Sequence, residues 1–132
     1  MRRIGAVLAG LKMVSICLLS SLLTKVGLWR LGVSLVRLGI RSSPAFETTY
    51  LGQLALIHER IGHMEEAIGY LRDVSEREPD DAFNYFELGL AYEKMTQWDL
   101  ARVNFERALA LGTDFGAEFR SELELRIRRL NS

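Results

Sequence analysis

The chain has 132 residues and no net charge at neutral pH, enough for one small globular domain with an additional segment. Its charges are divided, because the residues before Glu47 include seven basic and no acidic side chains, whereas the rest has 10 basic and 17 acidic ones. An apolar, cationic start on an acidic body favours contact with a membrane or another protein over nucleic acid. The single cysteine, Cys17, excludes a disulfide framework and a thiol-rich metal site.

Residues 4–23 form an apolar stretch of 20 residues with one charge, Lys12, near its middle. At about 1.5 Å per residue, a helix of this length matches the hydrocarbon core of a bilayer. Small residues spaced for close helix packing in membranes are Gly5, Ala6, Ala9 and Gly10. The stretch predicts a transmembrane helix whose Lys12 faces a protein partner, a water-filled gap or a snorkelling path.

Residues 26–40 predict a second, amphipathic helix. Its polar face consists of Arg30, Ser34, Arg37 and Arg41. Trp29 suits an anchor at the level of lipid headgroups. We expect this helix to lie at the membrane surface or against another membrane subunit. The alternative is that it packs as a soluble core helix onto the edge of the helical body that follows.

The apolar start also has features of a targeting sequence. A secretory signal would need a small-x-small cleavage site, which does not follow cleanly, and a lipoprotein signal would need a small residue where Ile16 precedes Cys17. A mitochondrial presequence would be basic and free of acids, as here, but less apolar. We expect a retained anchor. The excess of basic residues after the apolar stretch places the remainder on the cytoplasmic face or its equivalent.

Residues 48–81 and 82–115 repeat each other at an offset of 34 residues. The matched pairs include Leu54 with Leu88, Leu56 with Leu90, Glu59 with Glu93, and Ala67 with Ala101. A fixed period of about 34 residues with a small residue held in place predicts stacked helical hairpins.

The second repeat has the spacing aromatic-x-x-Leu-Gly-x-x-Tyr at Tyr85, Leu88, Gly89 and Tyr92, followed by Ala101, Phe105 and Ala108. This pattern resembles the tetratricopeptide repeat (TPR) family. Pro79 lies where the family has its proline, whereas the second repeat has Thr113 there. The resemblance implies an all-α fold of two TPR hairpins with a C-terminal capping helix, preceded here by the two apolar N-terminal helices.

Helix start and stop signals agree with these hairpins. Ser43 and Pro44 predict the start of a helix that ends at Arg60, and Gly62 predicts the turn before a helix over 64–77. Asp80 is predicted to cap a helix over 81–95. Thr96 with Asp99 resembles a capping box for a helix that ends at Leu111 before Gly112.

A fifth helix of this body is predicted over 114–131. Its apolar stripe consists of Phe115, Phe119, Leu123, Ile127 and Leu130. This spacing is typical of the helix that caps the open end of a repeat array.

No catalytic motif is present: the sequence has no phosphate-binding glycine loop, no metal-spaced Cys/His cluster and no serine elbow. His58 replaces the packing tyrosine of the repeat, which predicts a core or groove side chain, and His63 at the turn is expected to be solvated. We therefore expect neither an enzyme nor a cofactor, and no small-molecule substrate.

The resemblance implies that the first helix of each repeat lines a groove that binds protein partners. The positions that line it are Thr49, Gly52, Leu56, Glu59, Phe83, Phe86, Leu90 and Glu93. Gly52 and Leu56 stand where chaperone-binding members have Lys and Asn, so a carboxylate clamp is absent. The apolar stripe at 83, 86 and 90 accepts either an amphipathic partner helix or one of the chain's own terminal helices.

Together these features predict membrane-anchor helices over 1–41 and a TPR domain over 42–132. The predicted function is that of a membrane-tethered accessory or scaffold subunit that binds integral membrane proteins and lipid. The alternatives are an assembly factor, and a soluble adaptor whose N-terminal segment is a cleaved targeting sequence.

Overall fold

A computed structural model of the chain describes residues 1–112 and 116–132. The described residues are all-α, as predicted, with no β-strand and with seven α-helices. These are α1 (Arg2–Lys25), α2 (Trp29–Ser42), α3 (Glu47–Arg60), α4 (Met64–Arg77), α5 (Ala82–Lys94), α6 (Trp98–Leu111) and α7 (Ala117–Asn131), with a 3-10 turn over Pro44–Phe46 before α3. The chain divides into two compact units, Met1–Tyr70 and Leu71–Ser132, and each is described by itself.

The predicted helix ends at Arg60, Arg77 and Leu111 are confirmed, but two predicted caps, Asp80 and Thr96, are wrong. Asp81, not Asp80, caps α5, because its carboxylate accepts a hydrogen bond from the Phe83 amide at 2.9 Å. Ser43 takes the predicted cap position, before the 3-10 turn that leads into α3, but makes no side-chain cap bond. Thr96 cannot cap α6 because it lies inside the preceding turn with φ 56°, and Gln97 takes the cap position without a side-chain bond.

The predictions made for Thr113, Asp114 and Phe115 fall outside the described residues. The helix predicted over 114–131 is described from Ala117 onward. Its remaining apolar stripe packs as expected, with Leu123 1% exposed against the core cluster of Ala101, Phe105 and Ala108.

Three hairpins in the chain share one turn geometry. The connections between α1 and α2, between α3 and α4, and between α5 and α6 each have three residues. Their middle residues, Gly27, Gly62 and Thr96, are left-handed, with φ of 84°, 82° and 56°. In each turn the amide of the following residue donates to the carbonyl five residues earlier, at 2.8–2.9 Å. This is the Schellman arrangement, which satisfies the last carbonyls of a helix and reverses the chain.

Small residues occur at the same place in all three hairpins, near the start of the second helix. They are Gly32, Ala67 and Ala101, and all three are buried. A Cβ atom added to Gly32 would lie 3.0 Å from the Ser20 carbonyl oxygen of α1, so these two helices cross closely. In the second repeat the close approach is at Gly89, where an added Cβ would meet the ring of Phe105. The first hairpin is therefore built in the same way as the repeats.

In the first unit, α2 packs against α1 and α3. Its buried residues are Gly32, Val33, Val36 and Gly39. A Cβ atom on Gly39 would lie 2.7 Å from the ring of Tyr50 in α3. This contact corresponds to the alternative predicted for residues 26–40, in which the helix packs onto the following body, while the polar face of α2 stays outside.

The C-terminal half of α1 is also attached to α3, through Gln53. The side-chain amide of Gln53 donates to the Cys17 carbonyl at 3.1 Å and to the hydroxyls of Ser20 and Ser21 at 2.9 and 2.8 Å. Ser20 is fully buried. Polar groups in such a place need hydrogen bonds to avoid a desolvation cost, so this contact fixes the position of α1 on the first repeat.

Candidate functional site

The predicted groove residues of α5 are partly covered by the C-terminal helix. The ring of Phe86 lies 4.6 Å from that of Phe119 in α7, edge to face, and 6.0 Å from that of Phe105. Leu90 is half-buried and packs against the same core cluster. Phe83, in contrast, is 49% exposed. The apolar stripe is thus divided into a covered end and an open end.

Glu93, the last predicted groove residue, forms an ion pair with α7. Its carboxylate accepts a hydrogen bond from the Arg126 guanidinium at 2.6 Å, and Arg126 also donates to Glu122 at 2.8 Å. Both members of the first pair are about one-third exposed, at 28% and 30%. The pair orients α7 beside the end of α5.

Next to this ion pair is a cleft of about 360 Å³ lined by Glu93, Trp98, Arg129 and Leu130. Trp98 is half exposed, although it begins a helix whose other face is buried. Sequence reasoning did not select Trp98 or Arg129, because the repeat pattern assigns neither a role. An indole at the first position of a helix, outside the apolar spacing, is the signal that could have identified this cleft.

In the first unit the predicted groove residues lie along α3. Thr49 is exposed, Leu56 is 38% exposed, and Glu59 is half-buried. Leu56 is therefore the apolar member of this set that is available to a partner.

The predicted anchor residues lie on the outer surfaces of α1 and α2. Lys12, Arg30, Arg37 and Arg41 are all exposed. A shallow cleft of about 440 Å³ along α2 is lined by Ser34, Arg37, Leu38 and Arg41. The basic face predicted from the sequence is thus an exposed surface of the structure.

Helix α1 exposes most of its apolar residues. It is the one helix in the described ranges that is long and apolar enough to cross a membrane, and little of it is buried. A signal sequence near the N-terminus has the same length and composition. The buried side is a narrow stripe of Ile16, Ser20 and Thr24.

Trp29 is half-buried and packs against the first repeat. Its ring lies 5.6 Å from that of His63 and 6.4 Å from that of His58, both edge to face, and the Arg30 guanidinium stacks 5.4 Å from the indole. His58 is buried, as the sequence predicted, and the centroid of its ring lies 5.5 Å from that of Tyr70. Burial lowers the pKa of His58 below its ordinary value; the Glu66 carboxylate raises it, and His63 and Arg37 lower it further.

Three potential ligand atoms meet at this corner of the first unit. The side chains of His58, His63 and Glu66 each offer one nitrogen or oxygen atom, and these atoms lie within 4.8 Å of one another. The three residues do not form a ligand motif in the sequence, because His58 lies in α3, His63 in the turn and Glu66 in α4.

The helical hairpins define a class, that of helical-repeat proteins, and comparison with known proteins defines the family. Models described as tetratricopeptide repeat match residues 51–84 and 84–111. Residues 51–111 therefore carry tetratricopeptide repeats. Such repeats are protein-interaction modules, which supports the role of an interaction adaptor. No curated protein matches the sequence.

Among solved structures, the fold is similar to that of the Sgt2 TPR domain from Aspergillus fumigatus, with a TM-score of 0.69 and 18% identity. The match covers 90% of this chain and 79% of that one. Because the family models span only residues 51–111, the structural likeness extends beyond them into helices that the repeat pattern does not identify.

Proposed function

We propose that this protein is a non-catalytic TPR scaffold held at a membrane by its first hairpin, and that it is an accessory subunit of a membrane protein complex. The observation that carries the proposal is the exposed apolar surface of α1. A helix of this composition in a water-soluble domain would bury its leucines, whereas here eight large apolar residues are each at least 48% exposed. They are Ile4, Val7, Leu8, Leu11, Val14, Leu18, Leu19 and Leu22.

The charge of the first hairpin supports an anionic lipid surface as its environment. No acidic residue precedes Glu47, and the exposed basic side chains are distributed over both helices. Attraction to an anionic leaflet is worth about 1 kcal/mol for each basic residue near the surface. Such leaflets are typical of the cytoplasmic side, which is where we place the TPR body.

Helix α1 lies in the interface rather than across the bilayer. From Ile16 onward, one stripe of α1 is engaged with protein, and Gln53 binds Cys17, Ser20 and Ser21. The segment 2–15 that precedes this contact is about 21 Å long as a helix, shorter than a hydrocarbon core of about 30 Å. The packing therefore supports insertion of α1 into one leaflet, with Met1 on the same side as the body.

The same contacts support retention of α1 in the mature protein. Removal of residues 1–25 would leave the Gln53 amide without these acceptors and would expose the Gly32 side of α2. This argues against a soluble adaptor produced by cleavage of a targeting sequence.

Protein partners would bind at the open apolar positions of the repeats. Leu56 in the first unit, and Phe83 with the cleft at Trp98 in the second, are the exposed apolar members of the predicted groove and its surroundings. These surfaces suit an apolar or amphipathic helix of an integral membrane subunit. Phe86, which α7 covers, would support this surface from beneath, and Glu93 lines the cleft itself.

Vesicle flotation tests the membrane contact. The full chain should float with vesicles that contain phosphatidylserine, and Leu8→Asp with Leu11→Asp should abolish flotation, because two charges would enter the apolar interface. Val103→Asp is the matched control, since Val103 is 55% exposed on α6 and should leave flotation unchanged. A double variant that floats like the wild type would refute the contact. Protection of an N-terminal tag from protease outside sealed vesicles would show that α1 crosses the bilayer.

Copurification in mild detergent tests the scaffold role. The full-length chain should bring integral membrane proteins in a fixed ratio, and Phe83→Glu should lose them while the fold is kept, as measured by circular dichroism. An accessory subunit stays in the finished complex, whereas an assembly factor would appear only with incomplete complexes. Partners that remain with the flotation-deficient variant would support a soluble adaptor instead.

A further inference from the structure

We propose that His58, His63 and Glu66 form a binding site for a divalent transition metal ion, with Zn²⁺ as the ion that fits the ligands best. The site lies at the turn between α3 and α4, within the first unit. It is separate from the surfaces proposed above for lipid and protein partners.

The turn itself brings the two histidines together. The His63 amide donates to the His58 carbonyl at 2.8 Å, and the Gly62 amide donates to the Glu59 carbonyl at 3.1 Å. In a Schellman turn, the two residues joined by the hydrogen bond that spans five residues, here His58 and His63, have side chains in contact. These side chains are normally apolar. Here both are imidazoles, with ring centroids 5.8 Å apart.

The equivalent places in the other hairpins hold no such pair. They are occupied by Leu23 with Leu28 and by Tyr92 with Gln97, although the backbone hydrogen bonds are the same. The imidazole pair is thus an individual feature of this turn and not a requirement of the fold. Glu66 adds a carboxylate from the first turn of α4.

His58 is the part of the site that needs a ligand. Its side chain is 9% exposed, and neither ring nitrogen has a hydrogen-bond partner among residues 1–112 and 116–132. A buried polar atom without a hydrogen-bond partner destabilises the folded state, because it has lost its contact with water. One of its nitrogens is among the atoms within 4.8 Å of the His63 and Glu66 donors, so a metal ion there would satisfy it.

The donor set selects the class of ion. Two imidazole nitrogens and one carboxylate oxygen are the ligands of zinc sites that leave the fourth position to water. Mg²⁺ and Ca²⁺ prefer oxygen ligands alone. Tetrahedral Zn²⁺ with bonds of about 2.0–2.1 Å places its ligands about 3.3 Å apart. His63 and Glu66 are exposed, so rotation of their side chains can close the set around the buried nitrogen.

The charges near the site have opposite effects. The negative charge of the Glu66 carboxylate attracts a cation at His58, whereas the positive charge of Arg37 in α2 repels it. The Trp29 ring, 5.6 Å from that of His63, covers one side of the cluster. A bound ion would therefore tie the α3–α4 turn together directly beneath Trp29 of α2.

Titration of the full chain with Zn²⁺ in mild detergent tests the site. The chain has two tryptophans, and Trp98→Phe leaves Trp29 as the single fluorophore beside the cluster. We expect one equivalent of Zn²⁺ to change the Trp29 emission and to raise the melting temperature, because a ligand that binds only the folded state stabilises it. Mg²⁺ at the same concentration should do neither. Absence of a saturable Zn²⁺ response would overturn the proposal.

Matched variants locate the ion. His58→Tyr introduces the residue found at the equivalent place in the second repeat and should keep the fold while it removes a ligand. Calorimetry should show a loss of Zn²⁺ affinity larger than the roughly 10–100-fold that loss of an outer-shell partner costs. Glu66→Gln should weaken binding, and Glu65→Gln, its exposed neighbour on α4, should not. Unchanged affinity in His58→Tyr, or equal losses in both glutamate variants, would place the ion elsewhere and contradict the site.

Discussion

The first hairpin, α1 with α2, and the second-repeat hairpin, α5 with α6, have the same framework and different surfaces. Residues 69 positions apart correspond: Gly27 with Thr96 at the left-handed turn, and Gly32 with Ala101 at the helix crossing. The turn hydrogen bonds also correspond. Yet most of the exposed residues of α1 are apolar, whereas α6 has the ion-paired Asp99 and Arg102 on its surface.

This comparison shows which residues specify the hairpin. A left-handed residue in a three-residue turn and small residues where the helices cross are common to both regions. The outward residues differ between the two regions, because they make no contribution to the helix crossing. The same backbone can therefore present a surface suited to lipid in one region and to water in the other.

The largest expected difference between the two hairpins concerns the buried residue one turn after the crossing. Phe105 and Val36 occupy corresponding positions, and both are 0% exposed. Phe105→Ala should lower the free energy of unfolding by about 3–5 kcal/mol, and Val36→Ala by about 1.6 kcal/mol before any cavity cost, for two methyl groups. Urea denaturation measures both. Val103→Ala, exposed on α6, should change little, and a Phe105 effect as small as this control would contradict the common core position.

An intermediate effect is expected at the crossings. Ala101→Leu should destabilise the second repeat by about 1–3 kcal/mol through overpacking. Gly32→Leu should reach the upper end of this range, because its side chain would meet the Ser20 backbone at 3.0 Å, and backbone yields less than a side chain. Thermal unfolding of each variant is the measurement. If Gly32→Leu melts like the wild type, the first hairpin is not built like a repeat.

The smallest effects are expected at the turns, and they have opposite signs. Thr96→Gly should stabilise the chain by about 0.5–1 kcal/mol, since a β-branched residue at positive φ is strained. Gly62→Ala should destabilise it by about 1 kcal/mol for the same reason. Differential calorimetry resolves such shifts. Gains or losses of the same sign in both variants would mean that the two turns are not equivalent.

Local signals in the sequence were sufficient for the helices of the repeats. Gly62 and Gly112 marked the ends of helices, and the period of 34 residues fixed their order. The caps were less predictable. Asp80 and Asp81 are adjacent acids with equal capping propensity, so the sequence does not distinguish them. Thr96 has the residue type of a cap, but its left-handed backbone, with φ 56°, places it inside the turn.

Features that depend on tertiary contacts were not predictable in this way. The apolar residues of α1 indicate a membrane helix, and this interpretation hid the correspondence of Gly32 with Ala67 and Ala101. Likewise, the sequence does not predict that His58 and His63 meet, because their proximity follows from the turn and not from a ligand spacing. Only the hydrogen bond between their backbones, together with Glu66, makes them a cluster.

The turn that recurs in the three hairpins has a consequence for how such a chain can evolve. Its hydrogen bonds involve only backbone atoms, so the two side chains it brings together are free to vary. The chain already contains three outcomes at that place: two leucines, two histidines, and a tyrosine with a glutamine. A single nucleotide exchange in such a pair can add or remove a chemical group while the fold is inherited unchanged.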